Sequence, residues 1–143
     1  MILVDVNLLL YATNVSASQH SAAREWLDRQ LVETPRVGLP WATLLGFLRL
    51  ATNARVITRP LTMAAAWQQV SQWLECEPVW IPMPTERHAD VLGKLLAEPS
   101  VYGNLVPDAH LAALTMEHGL TLCSTDGDFG RFPELKWSNP LAE

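Results

Sequence analysis

Short apolar runs alternate along this chain with longer amphipathic stretches. Ile2 to Val6 is a brief apolar run that predicts a buried strand, with Asp5 near its C-terminal end. Ser18 to Val32 sets Ala22, Ala23, Trp26, Leu27 and Leu31 on one side of a helix that Ser18 or Ser21 can cap. Arg36 to Leu39 reads as a short strand, and Pro40 suits the first turn of a helix running to about Thr52. Pro60 and Thr62 open another helix, to about Leu74, with Trp67, Val70, Trp73 and Leu74 as its apolar positions. Trp67, Trp73 and Trp80 are expected in the core, the alternative being that some of them face a partner. Val79 to Ile81 predicts a strand, Glu86 to Ala97 a helix, and "EPSVYGN" a loop. Pro107 starts a helix that reaches about His118 and is ended by Gly119. Leu120 to Ser124 is a buried strand, "TDGDFGRF" a turn, and Leu135 to Trp137 a last edge strand.

Strands alternating with helices predict an α/β fold whose parallel sheet is covered on both faces, in three layers. Sites in such sheets lie beyond the carboxyl ends of the strands. Asp5 ends the first strand and Asp126 follows the strand at Leu120–Ser124. Asp108 begins the helix that leads into that same strand. A helix antiparallel to the strand it feeds starts at the carboxyl edge, so all three acids can meet there.

Composition narrows this picture. A length of 143 residues, 49% of them apolar and 17% charged, fits one ordered domain spanning 1–143. No uninterrupted apolar run reaches the roughly 18–20 residues of a membrane span. "MILVDVNLLLYATN" lacks a basic n-region and carries an Asp, so it reads as a first strand rather than a signal peptide. Cys76 and Cys123 form no C-x-x-C pattern, which predicts a reduced, cytoplasmic protein. The net charge of −5 argues against nonspecific nucleic-acid binding. Its distribution changes that conclusion. Thr34 to Leu74 contains no acid but has Arg36, Arg49, Arg55 and Arg59, leaving six basic against fifteen acidic residues elsewhere. An acidic chain with such a segment can still present a cationic face.

Each acid also has an ordinary explanation. Asp108 suits the first turn of a helix, where it complements the dipole by about 0.3–1 kcal/mol. Asp126 and Asp128 flank Gly127 in a turn, where such residues bond their own backbone. Asp5 is harder to explain this way, because a carboxylate ending "MILV" is costly to bury without a partner. Asn7, two residues on, is placed to orient it. Together, clustered carboxylates raise each other's pKa, and a hard divalent cation such as Mg²⁺ or Mn²⁺ relieves that repulsion. No lysine in the first 93 residues offers a neutralising alternative, although an arginine could. The four histidines show no zinc spacing with cysteine, and no P-loop, G-x-S-x-G or G-x-G-x-x-G occurs.

"VDVNLLLYA", "WATLLGFLRLATN", "NLVPDAHLAAL" and "STDGDFGRFPELKW" follow one another in an order that resembles the PIN-domain proteins. The likeness is greatest to the VapC toxins of bacterial toxin–antitoxin pairs and covers about residues 1–141. It implies a five-stranded, mainly parallel sheet and Mg²⁺- or Mn²⁺-dependent endoribonuclease activity. It also implies a homodimer inhibited by a cognate VapB-type antitoxin. Carried over by position, it makes Asp5, Asp108 and Asp126 metal ligands and catalytic residues. Asp128 becomes a further acid, ligating directly or through water, and Ser124 a small hydroxyl residue supporting the site beside Asn7. Arg49, Arg55 and Arg59 are candidates to hold the RNA backbone. The family usually carries a Glu on its second helix, whereas the matching position here is Gly46. Two rivals compete with the ribonuclease reading: a catalytically silent PIN subunit that binds protein or RNA, and a metal-dependent phosphatase on the same scaffold.

Overall fold

The computed structural model describes residues 1–142. Five strands, β1 (Ile2–Val4), β2 (Val37–Gly38), β3 (Val79–Trp80), β4 (Thr121–Cys123) and β5 (Trp137–Ser138), form one all-parallel sheet in the order β3-β2-β1-β4-β5. Six helices accompany them: α1 (Val6–Thr13), α2 (His20–Glu33), α3 (Trp41–Ala51), α4 (Met63–Glu75), α5 (His88–Leu96) and α6 (Leu105–Glu117). No helix among the described residues is long and apolar enough to cross a membrane.

Strand periodicity builds the layers. On β1, Ile2 and Val4 face a core shared with α1, α2, α3 and α4, while Leu3 faces a second core beneath α6. Cys123 and Leu122 of β4 divide in the same way. A sheet buried on both faces needs strands that are apolar throughout, and that is why these segments read as continuous runs. The strand order reverses at β1: the chain crosses to β2 and β3 on one side, then returns through α5 and α6 to β4 on the other. Crevices at such reversals, beyond the carboxyl ends of the strands, are where α/β sheets bind ligands.

The first strand is shorter than the sequence predicts. It stops at Val4, and Val6–Thr13 is a helix. Asp5 is the residue that turns one into the other, because its side chain accepts the Val6 N–H and caps the new helix. Leu8, Leu9 and Ala12 then fall on one buried face. Three further details also differ. α2 starts at His20 without a side-chain cap from Ser18 or Ser21, and its His20 Nδ1 instead lies 2.8 Å from the Tyr11 carbonyl on α1. α6 starts at Leu105, so Pro107 sits in its first turn, where a missing N–H costs nothing. Trp67 is 49% exposed, and Ala66, Val70 and Trp73 form the buried face of α4.

A polar clamp holds α5 on α6. The buried Glu117 carboxylate accepts from the Thr85 N–H at 2.9 Å, from the Thr85 hydroxyl at 2.7 Å and from the His88 ring. His88 Nε2 lies 3.1 Å from His110 Nδ1. Burial pushes the Glu117 carboxyl up, but the hydrogen bonds from Thr85 and His88 together outweigh it and hold the group below its usual range.

Candidate metal centre

The carboxyl ends of β1 and β4 are neighbours in register, Val4 opposite Cys123, so the residues that follow them share one crevice. Ser124 is the hub of that crevice and is fully buried. Its hydroxyl donates to Asp5 Oδ2 at 2.8 Å and accepts from the Asp126 N–H at 3.0 Å and from Asn7 Nδ2 at 3.2 Å. One donor and two acceptor lone pairs are all that a hydroxyl has, and here all are used. Asp5 is thereby fixed at both oxygens, Oδ1 on the Val6 N–H and Oδ2 on Ser124. Asn7 reaches Asp5 through Ser124 and makes no direct bond to it.

Asp126 begins a 3-10 turn over Gly127–Arg131, with Oδ1 accepting the Asp128 N–H at 2.9 Å. The local turn expected for an Asp before Gly is therefore present, but it leaves Oδ2 unused and aims Asp126 and Asp128 together. Asp108 stands in the first turn of α6. Asp108, Asp126 and Asp128 each offer an oxygen within 4.8 Å of the others. Asp5 lies outside this set of three, yet its charge and those of Asp126 and Asp128 all act on Asp108.

Crowding shows in the acidities. Burial, then the charges of Asp126, Asp5 and Asp128, push Asp108 up to about 6. Burial also raises Asp5 above its ordinary value, against the hydrogen bonds from Ser124 and Val6, and Asp126 adds to the rise. Among the described residues the cation paired with this cluster is Arg131, whose Nε lies 3.6 Å from Asp128 Oδ1 with both side chains nearly half exposed. Such a pair is worth little in water. An all-oxygen set of three carboxylates, under-compensated and partly desolvated, fits a hard divalent cation better than a soft one.

None of the arginines singled out in the sequence pairs with these acids among the described residues. Arg49 is in the last turn of α3, and Arg55 and Arg59 are exposed on the segment joining α3 to α4. Arg59 lines a small cavity with Thr13 and Asn14 at the far end of α1, not with the acids. Arg131 was not among the residues expected to act, although its i, i+3 spacing from Asp128 in "DFGR" was visible. Gly46 faces the first turn of α1: a Cβ there would meet Val6 Cγ2 at 3.4 Å, beside Asp5.

Comparison with known proteins accords with this architecture. A PIN domain model matches residues 2–135. Ribonuclease VapC37 of Mycobacterium tuberculosis is 45% identical over 142 residues, covering 99% of each chain. Ribonuclease VapC33 of the same organism is 40% identical over 143 residues and covers all of both. Among solved structures, VapBC2 from Rickettsia felis superposes with a TM-score of 0.72 at 17% identity, over 97% of this chain and 98% of that one. M. tuberculosis VapC20, described as a sarcin-ricin loop cleaving toxin, gives 0.68 at 19% identity, over 91% and 93%. With the reversal at β1, the acids at its carboxyl edge and whole-chain identity of this extent, the chain belongs to the PIN-domain family, in its VapC branch.

Proposed function

We propose that this protein is an Mg²⁺- or Mn²⁺-dependent endoribonuclease, the toxin of a toxin–antitoxin pair, working in the cytoplasm. The observation that carries the proposal is the convergence of Asp108, Asp126 and Asp128 beside Asp5 at the reversal of strand order. The ribonuclease names of its relatives fit the same chemistry. Asp108, Asp126 and Asp128 would hold the cation, with Asp5 as a further ligand reached from its fixed position on Ser124. A divalent cation held by these residues would supply Lewis-acid polarisation of a phosphoryl oxygen and a lowered pKa for a bound water.

The chain's own part is placement. Ser124 keeps Asp5 and the Asp126 backbone in one geometry, and the cap on α1 prevents Asp5 from turning away. Asp128 holds Arg131 at the rim, where a guanidinium can meet a backbone phosphate. Arg49, Arg55 and Arg59 extend a positive surface along α3 and the segment after it, suited to the RNA backbone further from the cut. Changing these three to Gln is expected to weaken RNA binding and flatten its salt dependence.

Solved relatives include toxin–antitoxin complexes, and a VapB-type antitoxin and a second copy of the chain are the proposed partners here. Exposed apolar side chains support a protein partner: Trp41 and Leu45 lie one turn apart on α3, and Met63 and Trp67 one turn apart on α4. Such i, i+4 pairs are costly to leave in water and offer anchors for a partner helix. Gly46 favours the second reading, a catalytically silent subunit, because it withholds the family's usual Glu. Mapping RNA ends in cells after brief induction distinguishes the two. New 5′-phosphate ends that vanish with Asp126→Asn support the enzyme, and an unchanged end profile supports the silent subunit.

A further inference from the structure

Beside the acids, on the side of Asp128, lies a cavity of about 570 Å³ that the metal chemistry alone does not use. Its walls are the loop before α6 (Ser100, Tyr102 and Asn104) and, opposite, Asp128 and Arg131. Tyr102 is 74% exposed, an unusual position for so large an aromatic ring. It is not exposed through slackness. Val101, just before it, is buried in the second core, and its N–H bonds the Glu98 carbonyl at 2.9 Å. Gly103, just after it, has φ +58, a left-handed conformation that suits glycine, and its carbonyl accepts the Val106 N–H. The Tyr102 carbonyl itself accepts the Leu105 N–H at 3.1 Å. The backbone is thus pinned on both sides while the ring stands free.

Two polar groups complete the cavity. Asn104 occupies the position before α6 but makes no capping bond, so its carboxamide is unspent. Arg131 brings a guanidinium to the same wall and, among the described residues, is tied only to Asp128, a pairing a cation on Asp128 would weaken. An exposed aromatic face on a pinned backbone, a free amide and a cation around one space match the parts of a single nucleotide: base, base edge or ribose, and phosphate. The volume falls in the range of small-ligand sites, about 300–1,000 Å³.

We infer that this cavity is the subsite for the unpaired nucleotide adjoining the scissile phosphate, its base stacked on Tyr102 and its phosphate met by Arg131. The inference rests on the ribonuclease reading and adds to it a place for the nucleotide beside the cut. Stacking tolerates any base, so Tyr102 contributes affinity and register, and Asn104 supplies what base preference the site has.

Tyr102→Ala and Tyr102→Trp test this in two assays. One is steady-state RNA cleavage; the other is anisotropy of a fluorescein-labelled single-stranded oligoribonucleotide in EDTA, where no turnover occurs. Tyr102→Ala should raise KM and Kd about tenfold and leave kcat nearly unchanged, while Tyr102→Trp stays close to the parent. Thermal midpoints should be alike, since the ring covers little of the core. A parent that cleaves RNA and a Tyr102→Ala protein with the same KM and Kd would overturn the subsite and leave the ribonuclease reading intact. A parent that cleaves nothing, with Tyr102→Ala still losing RNA affinity, would overturn the activity, and with it the scissile phosphate, and leave Tyr102 a base-stacking residue of an RNA-binding surface. Sedimentation showing that Tyr102→Ala splits a dimer, with Kd for RNA unchanged, would assign the ring to an interface between copies and overturn the inference.

Discussion

Neutralising Asp108 should stabilise the metal-free protein, and the size of the effect can be worked from its surroundings. Its carboxyl is pushed up to about 6 from an ordinary 3.8, first by burial and then by Asp126, Asp5 and Asp128. A folded-state value above the unfolded one means that ionisation opposes folding. The penalty is absent below pH 3.8, grows as pH rises and is complete above about 6. At 1.36 kcal/mol for each unit, the full effect would be about 3 kcal/mol. Asp108 is only half-buried, so water screens it to about 1–2 kcal/mol. Asn also forfeits the favourable first-turn dipole interaction, about 0.3–1 kcal/mol. Asp108→Asn should therefore gain about 1 kcal/mol at pH 7 in EDTA, or about 3–5 °C in midpoint for a chain of this size. No hydrogen bond to the Asp108 carboxylate is lost in the exchange, among those the described residues make. The assay is thermal unfolding of both proteins across pH 4–8, in EDTA and in excess Mn²⁺. The gap should close towards pH 4. In Mn²⁺ the order should reverse, because the parent gains more from binding. A variant less stable than the parent in EDTA at pH 7, or a gap independent of pH, would refute the crowded-carboxylate account.

Three other perturbations probe neighbouring parts of the structure. Ser124→Ala removes three hydrogen bonds at a fully buried position. It should cost about 1–3 kcal/mol in urea unfolding and lower RNA cleavage roughly tenfold; an unaffected kcat would show that Asp5 needs no orientation. Gly46→Glu places a carboxylate over the first turn of α1, with its Cβ tolerated 3.4 Å from Val6 Cγ2. Calorimetric titration should find tighter Mn²⁺ binding and a lower midpoint in EDTA, whereas equal affinities would show that position 46 is not oriented towards the ion. Glu117 is held below the usual carboxylate range, so its stabilisation is present above pH 4.5 and is lost as pH falls through its folded value. Glu117→Gln should weaken the protein by about 1–3 kcal/mol at pH 7 and flatten the acid limb of urea midpoint against pH; an unchanged limb would locate acid sensitivity elsewhere.

The layers and their order of elements were legible in the sequence because a buried parallel strand has little choice but to be apolar throughout. The five strands and the helices from α2 onward fall where the runs and periodicities predict, within a few residues. α1 was hidden by its neighbour: "ILVDVNLLLYA" is apolar on both sides of Asp5, and apolarity alone does not say where a strand becomes a helix. Asp5 marks the change through its cap, a role its cost as a buried acid obscured. Proximity of the acids followed from topology, but the hub did not. That Ser124 would serve Asp5, Asn7 and Asp126 at once depends on β1 and β4 being adjacent, which only the strand order decides. The exposure of Trp67 and the part played by Arg131 were hidden for a related reason. Helical spacing identifies a face without saying which side of it is covered, and a turn arginine looks like any other until its cavity is seen.

The central claim is tested most directly by giving purified protein a single-stranded RNA pool in EDTA, in Mg²⁺ and in Mn²⁺, alongside Asp126→Asn. The account predicts cleavage only with a divalent cation, products with 5′-phosphate and 3′-hydroxyl ends, and at least about a tenfold loss in the variant. Cleavage that survives both EDTA and Asp126→Asn would contradict it, as would phosphate release from small monoesters with the RNA left whole.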